Sequence, residues 1–474
     1  MSGPTRSLSG HVVLADADGA AYSSLRRRPV PRAERYELGR GLRQKVPRTS
    51  LGEWKAPVGR PDPVQQIMES HEGRVGRLVP IRVGRMVASP YGFLRGTAVV
   101  MAEDVAHLPA TGITPVVCGD AHLGNFGFYA SPERDLVIDL NDFDEAHPGG
   151  WEWDVRRLVA SIWVAGRHNG ADEQQCAAAA MSCVAAYREE VRLLADQPLM
   201  FRSYQRIDVD RLQEEASLPL RHEVARAARR ARQRTSDRAL PRFTEQVGER
   251  RRIVEEPPLI TRLPDHEAEL VAAALDEYLL TLSSHWRRVL GGYTLVDVAH
   301  KVVGVGSVGL RAYVALLEGS TPEDVVFLQL KQARRSVLAR YVHGESAWHD
   351  HQGQRVVEYQ QALQTVSDPL LGWTTVDDRQ YYVRQFRNMK GTIALDGIDA
   401  AALVDYAGVV GHLLAKGHAR TSGASMIAGY LGSSPKVEEA LSRFARAYAD
   451  QTEADHAALQ RAVDRGLLPV ERGV

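Results

Sequence analysis

Two short acidic motifs contain most of the side chains of this chain that could take part in catalysis. Cys118-Gly-Asp-Ala-His-Leu-Gly-Asn125 comes first, and Asn141-Asp-Phe-Asp-Glu145 follows after FGFYA and DLVIDL, two strand-like runs joined by the turn residues SPER. Phosphoryl transfer needs a carboxylate near the attacking hydroxyl and oxygen ligands that hold magnesium against the phosphates of ATP. A tight loop with Asp and Asn fits the first need, and a strand ending in carboxylates fits the second. The pattern predicts a magnesium-dependent phosphoryl-transfer site.

Each of these side chains has a predicted role. Asp120 is the base that accepts the proton of the acceptor hydroxyl, and Asn125 reaches the metal. Asp142 is the first candidate for the metal ligand between the phosphates and Asp144 shares that role, whereas Asp139 lies earlier in the strand and is a weaker candidate. Asp and Asn also occupy ordinary turns, but so dense a polar cluster in an apolar hairpin favours function. For His122, substrate contact and loop stabilisation both stay open.

A glycine-rich segment far down the chain supplies the other half of the predicted site. Gly304, Gly306 and Gly309 match the spacing GxGxxG, with Ser307 inside it. A dinucleotide-binding loop has the same sequence pattern, but it requires an acidic residue at the end of the next strand. Here that strand, VVFLQLKQA, carries Lys331 instead. The context therefore favours a loop over ATP and makes a dinucleotide oxidoreductase the remote alternative.

Lys331 is predicted to contact the α- and β-phosphates of ATP, because a glycine-rich hairpin followed by a strand that bears Lys is the kinase arrangement. Such a lysine usually pairs with a carboxylate on the next helix. Glu358 in GQRVVEYQQAL is the candidate for that partner.

The two acidic motifs also carry a family resemblance. GDAHLGN followed by NDFDEA resembles the catalytic and metal-binding loops of aminoglycoside and choline phosphotransferases and, more distantly, of protein kinases. HPGGWEWDVRRLVASI resembles the segment of those enzymes in which an Asp opens a helix, so Asp154 is expected to cap that helix and brace the catalytic loop. The chain departs from the family at Cys118, where kinase-type loops usually carry His. That departure bears on loop geometry more than on chemistry.

The order of the motifs is reversed relative to kinases, in which the glycine loop and the lysine precede the catalytic and metal-binding acids. The strand YYVRQFRNMKG would then serve as the hinge, and DYAGVVGHLLAKGHAR as the helix that normally precedes the catalytic loop. The parts are complete if the chain is cut once between that helix and that loop. The resemblance therefore implies an α+β, bilobal, kinase-like fold that is circularly permuted, with a small antiparallel sheet lobe and a larger helical lobe.

A second resemblance covers the chain from about Arg35 to Leu468. This part of the chain resembles the bacterial family domain of unknown function 2252. The segments that carry the resemblance are PIRVGRMVASPYGFLRG, GDAHLGNFG, LNDFDEA, WDVRRLVAS, VGVGSVG, QLKQA, GQRVV and HARTSG. That family supplies no activity.

Composition narrows the class of protein and its compartment. Lys+Arg and Asp+Glu both number 59, so no net field points to nucleic acid or to a membrane surface. The three cysteines show no CxxC spacing, and neither a signal peptide nor a membrane span is recognisable. A cytoplasmic protein is expected. The predicted order is a flexible arm (1–30), an Arg-rich extension (31–95), a helical lobe with both acidic loops (96–290), a sheet lobe (291–392) and closing helices (393–474).

Several interpretations stay open. The acceptor is a small molecule or a peptide, and the oligomeric state cannot be read. Nucleotidyl transfer on the same fold and a catalytically silent nucleotide-binding regulator are the alternatives to phosphoryl transfer. Arg82, Arg85 and Arg95 either clamp an anion or form structural ion pairs, and the 11 arginines of residues 221–252 are expected to be a solvated face. His418 and Arg420 either approach the site or cap a helix end.

Overall fold

The computed structural model describes residues 12–13, 30–248, 250–302, 304, 306–343, 349–421 and 423–473. Helices and strands are both abundant, which confirms the α+β class. The flexible arm predicted for residues 1–30 lies outside the described residues, apart from Val12, Val13 and Val30. None of the helices in the described ranges has the length and apolar character needed to cross a membrane.

The helices of the described residues have the following bounds: α1 Arg32–Gly41, α2 Pro63–Glu69, α3 Val79–Val87, α4 Pro90–Gly96, α5 Ala98–Ala106, α6 Trp151–His168, α7 Glu173–Asp196, α8 Leu199–Tyr204, α9 Val209–Glu215, α10 Leu218–Arg232, α11 Ser236–Phe243, α12 Asp265–Thr281, α13 Ser284–Leu290, α14 Gln352–Leu363, α15 Ala400–Thr421, α16 Ala424–Leu431 and α17 Lys436–Asp464.

The strands are β1 Val12–Val13, β2 Val116–Val117, β3 Phe126–Ala130, β4 Leu136–Leu140, β5 His147–Pro148, β6 Thr244–Val247, β7 Arg250–Ile253, β8 Ile260–Arg262, β9 Thr294–Lys301, β10 Ala312–Glu318, β11 Val325–Gln332, β12 Val342–His343, β13 Gly372–Val376 and β14 Arg379–Gln385.

A six-stranded antiparallel sheet forms the smaller lobe, with strand order β13-β14-β11-β10-β9-β8. Its strands are rich in β-branched and aromatic residues, which pack well on a pleated surface. The segment LRAYVALLEG, whose propensity also permits a helix, is strand β10 and forms a hairpin with β9. Lys331 on β11 pairs with Ala312 of β10 on one side and with Tyr382 of β14 on the other.

The boundary predicted at residue 290 between the lobes is wrong, because α12 packs on the sheet. Val271, Leu275 and Tyr278 of this helix share one apolar cluster with sheet residues. The Tyr278 hydroxyl donates to the carbonyl of Leu370 at 2.6 Å, which fixes the helix beside β13. Helical periodicity shows that a helix buries one face but not which surface it covers, so the sheet lobe begins some 45 residues earlier, at β6.

The helical lobe is assembled from two stretches of chain on either side of the sheet lobe. Its core combines residues of α6 and α7 with residues of α15, α16 and α17. Trp151 stacks on Tyr187 with ring centroids 5.7 Å apart, and Tyr430 meets Trp151 edge-on at 6.0 Å. The prediction that the closing helices pack back on the first helical stretch is confirmed.

The Arg-rich extension joins both lobes. Arg60 forms ion pairs with Asp104 and Asp455, each at 2.7 Å, and so ties the extension to α5 and α17. Further along, the amide of Val75 donates to the carbonyl of Gly309 at 2.8 Å, and Arg74 Nη1 donates to the carbonyl of Val308 at 2.5 Å. The extension therefore holds the C-terminal half of the glycine loop in place.

Candidate active site

A cleft of about 690 Å³ lies between the two lobes, and residues distant in sequence line it together. Eight lysine or arginine side chains and six aspartate or glutamate side chains face it. The lining includes the following predicted site residues: Asp120, Asn125, Asp142, Asp144, Gly304, Gly306, Ser307 and Lys331.

Lys331 connects the sheet lobe to the acidic loop that follows β4. Its Nζ lies 2.5 Å from Asp144 Oδ2 and 3.4 Å from Asp142 Oδ1. Asp144 is also held by the Ser307 hydroxyl at 3.1 Å and by the Tyr382 hydroxyl at 2.9 Å. Among the described residues Asp142 has no such additional side-chain donors, and 49% of its side chain is exposed against 21% for Asp144. Asp142 is therefore the carboxylate with more room for a ligand.

The charges of this group stabilise each other. Burial alone would raise the pKa of Asp142, but the Lys331 ammonium and the Arg384 guanidinium lower it below its usual range. Burial alone would lower the pKa of Lys331, but the carboxylates of Asp142 and Asp144 raise it. Lys331 is thus a fixed cation beside a fixed anion, which are the states needed to bind a phosphate and a metal ion.

The turn that presents Asp120 accepts only glycine before the aspartate. Gly119 has φ +80°, and a Cβ at this position would lie 2.1 Å from the carbonyl oxygen of Glu145. The neighbouring amides of Cys118 and Gly119 donate to the Asp154 carboxylate at 2.6 and 2.8 Å. Asp154 therefore braces the loop, as predicted, although Gly150 and not Asp154 is the N-cap of α6.

His418 reaches the site through Asp154. Its Nε2 lies 3.2 Å from the Asp154 carboxylate and its Nδ1 lies 2.8 Å from the Tyr187 hydroxyl, and the ring is fully buried. Through Asp154, it supports the loop that carries Asp120, and it does not cap a helix end. Arg420, in contrast, donates to the carbonyls of Ala362 and Ser203, away from the cleft.

Asp120 combines access to the cleft with a strong cationic partner. Arg157 Nε donates to Asp120 Oδ1 at 2.6 Å. Burial raises the pKa of Asp120 to about 6 despite the opposing charge of Arg157. The neighbouring His122 uses its Nδ1 to accept from the amide of Gly124 at 3.1 Å, so this ring stabilises the loop.

Asn125 and Cys118 join the two acidic loops. Asn125 Oδ1 accepts from the amide of Asp142 at 2.7 Å, and its Nδ2 donates to the carbonyl of Asp142 at 3.0 Å. The Cys118 thiol donates to the same carbonyl at 3.3 Å. Asn125 lines the cleft, but these contacts make it a positioning residue for Asp142 in this structure. They also give Cys118 a bracing role between the two loops.

The carboxylates suit magnesium better than a metal with an all-protein ligand set. Among the described residues, no group of three or more His, Cys, Asp or Glu side chains is arranged to hold a metal ion. Asp142 and Asp144 provide two hard oxygen ligands at one end of the cleft. Magnesium is usually held in this way, by one or two carboxylates together with substrate phosphates and water.

The glycine loop leaves open space at its first half. Gly304 and Gly306 are exposed, and a Cβ on either would meet no atom closer than 3.5 Å. Gly309 differs, because its φ is +87° and a Cβ would lie 3.1 Å from Arg74 Cβ. The first two glycines therefore flank the open side of the cleft, and the third is required by the backbone of the turn itself.

The predicted pairing of Glu358 with Lys331 is wrong. Glu358 is exposed and forms its ion pair with His349 at 2.8 Å. The residue of α14 that reaches the site is Arg355, which is 2% exposed. Arg355 Nη2 donates to the carbonyls of Asp144 at 2.7 Å and Arg334 at 2.9 Å, and its Nη1 donates to the carbonyl of Ala146. The helix thus positions the acidic loop by hydrogen bonds to its backbone.

Sequence reasoning missed three further residues around the acids: Arg157, Tyr382 and Arg384. Arg157 follows Asp154 on α6 by three residues, so it faces the same loop, and helical spacing from Asp154 was a usable signal. Tyr382 and Arg384 lie two residues apart on β14 and therefore on the same face of the sheet, with Tyr382 directly opposite Lys331. Arg384 Nη1 donates to the carbonyl of Asn141 at 3.4 Å. Their direction follows only from the register of β14 against β11.

The comparisons with known proteins give a family and nothing further. A family model described as "Uncharacterized protein conserved in bacteria (DUF2252)" matches residues 74–462. No curated protein and no solved structure matches the chain.

Proposed function

This chain belongs to the conserved bacterial family domain of unknown function 2252, and from its side chains we propose that it is an ATP- and magnesium-dependent phosphotransferase. The observation that carries the proposal is the contact of Lys331 with Asp142 and Asp144 beneath the glycine loop, in the cleft that Asp120 also lines. A cation for phosphates, carboxylates for magnesium and a separate carboxylate for the acceptor are the parts that phosphoryl transfer requires.

The connectivity of the sheet lobe supports a kinase-like arrangement. The hairpin β9–β10 carries the glycine loop at its turn, the next strand β11 carries Lys331, and helix α14 follows. Protein kinases have the same succession, with the lysine on the third strand. Strand β14 then leads to α15 in the helical lobe. With the acidic loops placed before this succession, the chain is a circular permutation of the kinase order.

The proposed reaction moves the γ-phosphoryl group of ATP to a hydroxyl. Asp120 takes the proton as the acceptor oxygen forms its bond to the γ-phosphorus, and the bond from that phosphorus to the bridging oxygen breaks to release ADP. Lys331 and the backbone of the glycine loop bind phosphate oxygens. Asp142, with Asp144, would hold magnesium, which would neutralise charge on the phosphates. Arg157 keeps the Asp120 carboxylate aimed into the cleft.

Lys331 also explains how the acidic loop stays ready for a metal ion. Two carboxylates in one cleft repel each other and would otherwise favour a protonated state. The ammonium beside them keeps Asp142 ionised. Magnesium and phosphates would meet charges that are already in place, so little rearrangement of Asp142 and Lys331 would be needed.

A thermal-shift experiment tests the nucleotide site. Wild-type protein with ATP and magnesium should melt higher than the same protein with ATP and a chelator, and Asp142→Ala should lose that difference. Asp135→Ala is the matched control, because Asp135 is an exposed acid in the turn of the same hairpin and forms an ion pair with Arg206. An unchanged magnesium-dependent shift in Asp142→Ala contradicts the proposal.

Mass spectrometry of an acceptor library incubated with ATP then identifies the reaction. Addition of a phosphate group supports phosphoryl transfer, whereas addition of AMP assigns nucleotidyl transfer to the same site. Binding without any product, across sugars, amino alcohols, peptides and lipid headgroups, assigns a silent regulator.

A further inference from the structure

The wall of the cleft contributed by the N-terminal extension contains arginines without acidic partners. Arg82 is 2% exposed, and its guanidinium donates only to the Ser70 hydroxyl and to the carbonyl of Gly96. Its Nε and the Nε of Arg95 are buried without a hydrogen-bond partner. Within the described ranges no ion pair is formed by Arg74, Arg82, Arg95 or Arg334, although all four line the cleft. The structural ion pairs that sequence alone allowed for Arg82 and Arg95 are therefore not formed.

Two of these arginines, Arg74 and Arg82, have a pKa below the usual range of arginine. Burial, followed by the charges of Arg74 and Arg334, lowers the pKa of Arg82 well below its usual range. Burial and Arg334 lower the pKa of Arg74 to about 10. A buried guanidinium without a counter-charge is costly unless an anion completes the site. Fixed guanidinium groups are well matched to phosphate and carboxylate oxygens.

The position of the cluster places it beside the proposed acceptor site. Arg95 is close enough to Asp120 to lower the pKa of that carboxyl, so the two share one region of the cleft. Arg74 holds the carbonyl of Val308 in the glycine loop, and Arg334 follows the lysine strand. Lys331 already serves the acids on the other side. The arginines are thus additional to the cation that the triphosphate itself requires.

We propose that Arg74, Arg82, Arg95 and Arg334 bind a phosphate group on the acceptor, so that the acceptor is a small hydroxyl compound already carrying a phosphate. All four arginines line the cleft and form no ion pair with a described residue, and a phosphate monoester carries close to two negative charges near neutral pH, whereas a carboxylate carries one. This inference rests on the proposed phosphotransfer for the word acceptor. The anion site itself does not depend on it.

Titration with inorganic phosphate, followed by thermal shift and calorimetry, tests the site. Wild-type protein should bind phosphate both alone and with magnesium and a non-hydrolysable ATP analogue present. Arg334→Gln and Arg95→Gln should each weaken phosphate binding by about tenfold or more, the loss of one charge-assisted contact. Arg334 is exposed and its side chain makes no hydrogen bond, so that variant should fold. Arg379→Gln, a partly exposed sheet arginine paired with Asp378, is the control and should bind as wild type.

Three outcomes overturn the inference. Phosphate binding that the ATP analogue abolishes assigns the arginines to the triphosphate. Equal binding in wild type and in the Arg334→Gln/Arg95→Gln double variant removes the site. Acetate that binds as tightly as phosphate at the same ionic strength removes the preference for phosphate. None of these readouts involves Asp142, so they separate failure of the anion site from failure of the nucleotide site.

Discussion

The Lys331 ammonium contacts the Asp142 carboxylate across 189 positions of sequence, and this contact joins the sheet lobe to the helical lobe within one cleft. The pKa of each side chain is shifted by charged groups of the other lobe: that of Asp142 by Lys331 and Arg384, and that of Lys331 by Asp142 and Asp144. Lys331 is buried in the sheet and remains protonated because the acids of the other lobe face it. Each buried charge is therefore stabilised by the opposite charge that the other lobe supplies.

Replacement of this lysine should abolish turnover. Lys331→Met keeps the stem that packs near the Tyr382 ring but removes the ammonium group proposed to contact the phosphates. We expect the transfer rate to fall about 100-fold or more. Lys301→Met is the control, because Lys301 lies over the rings of Phe243 and Phe386 outside the cleft. Steady-state transfer with a radiolabelled γ-phosphate measures both. Equal loss in the two variants would assign the effect to the sheet and not to the site.

Asp120→Asn should separate binding from chemistry. Asparagine still accepts the hydrogen bond of Arg157 but takes no proton, so the rate should fall by about 10²- to 10⁴-fold while the magnesium–ATP thermal shift persists. Asp135→Asn should behave as wild type in both assays. A variant that transfers at the normal rate would exclude Asp120 as the base.

The rate should depend on pH through the same carboxyl. Burial raises the pKa of Asp120 to about 6, and the base works only when it is deprotonated. We therefore expect kcat/KM to fall as the pH drops below about 6 and to level off above it, because this profile reports the free enzyme. An acid limb near the usual range of an aspartate, well below pH 6, would contradict the assignment.

Stability should respond to pH through Glu145. Burial raises the pKa of this carboxyl to about 7, although its Oε2 accepts from the amide of Val337 at 2.7 Å. Because the folded-state pKa lies above the unfolded one, the stabilising contribution is complete below the unfolded pKa and is lost as the pH rises through about 7.

The measurement is the melting temperature from pH 5 to pH 8 in wild type and Glu145→Gln. Glutamine keeps an acceptor for the Val337 amide and does not ionise, so this variant should lose part of the decline of the wild type toward pH 8. Parallel curves for the two proteins would show that Glu145 does not titrate in this interval.

The residues that sequence located correctly are those whose chemistry is written into short motifs. The two acidic loops, the glycine loop and Lys331 line one cleft. Each could be recognised from the sequence because a short local pattern specifies the turn or strand on which it lies. Glu358 failed for a different reason. Periodicity identifies α14 as a helix with one buried face, but the first turn of that helix, at Arg355, is the part that meets the acidic loop.

The same limit explains the misplaced boundary between the lobes. Helix α12 has an apolar stripe that would suit either a helical core or a sheet face. Its packing partner is the face of the assembled sheet, where residues of β9, β10, β11, β13 and β14 share one apolar cluster with it. The choice of packing partner is a long-range property, and local sequence patterns do not encode it.

The split construction of the helical lobe has a consequence for synthesis on the ribosome. The sheet lobe is continuous from β6 to β14 and can form as soon as it emerges. Helices α6 and α7, which emerge earlier, find their partner α15 only after residue 400. At about 5–20 residues per second, the apolar faces of the early helices stay uncovered for roughly 10–40 s. Throughout that interval the nascent chain is a substrate for chaperones, and the later lobe is the first to be finished.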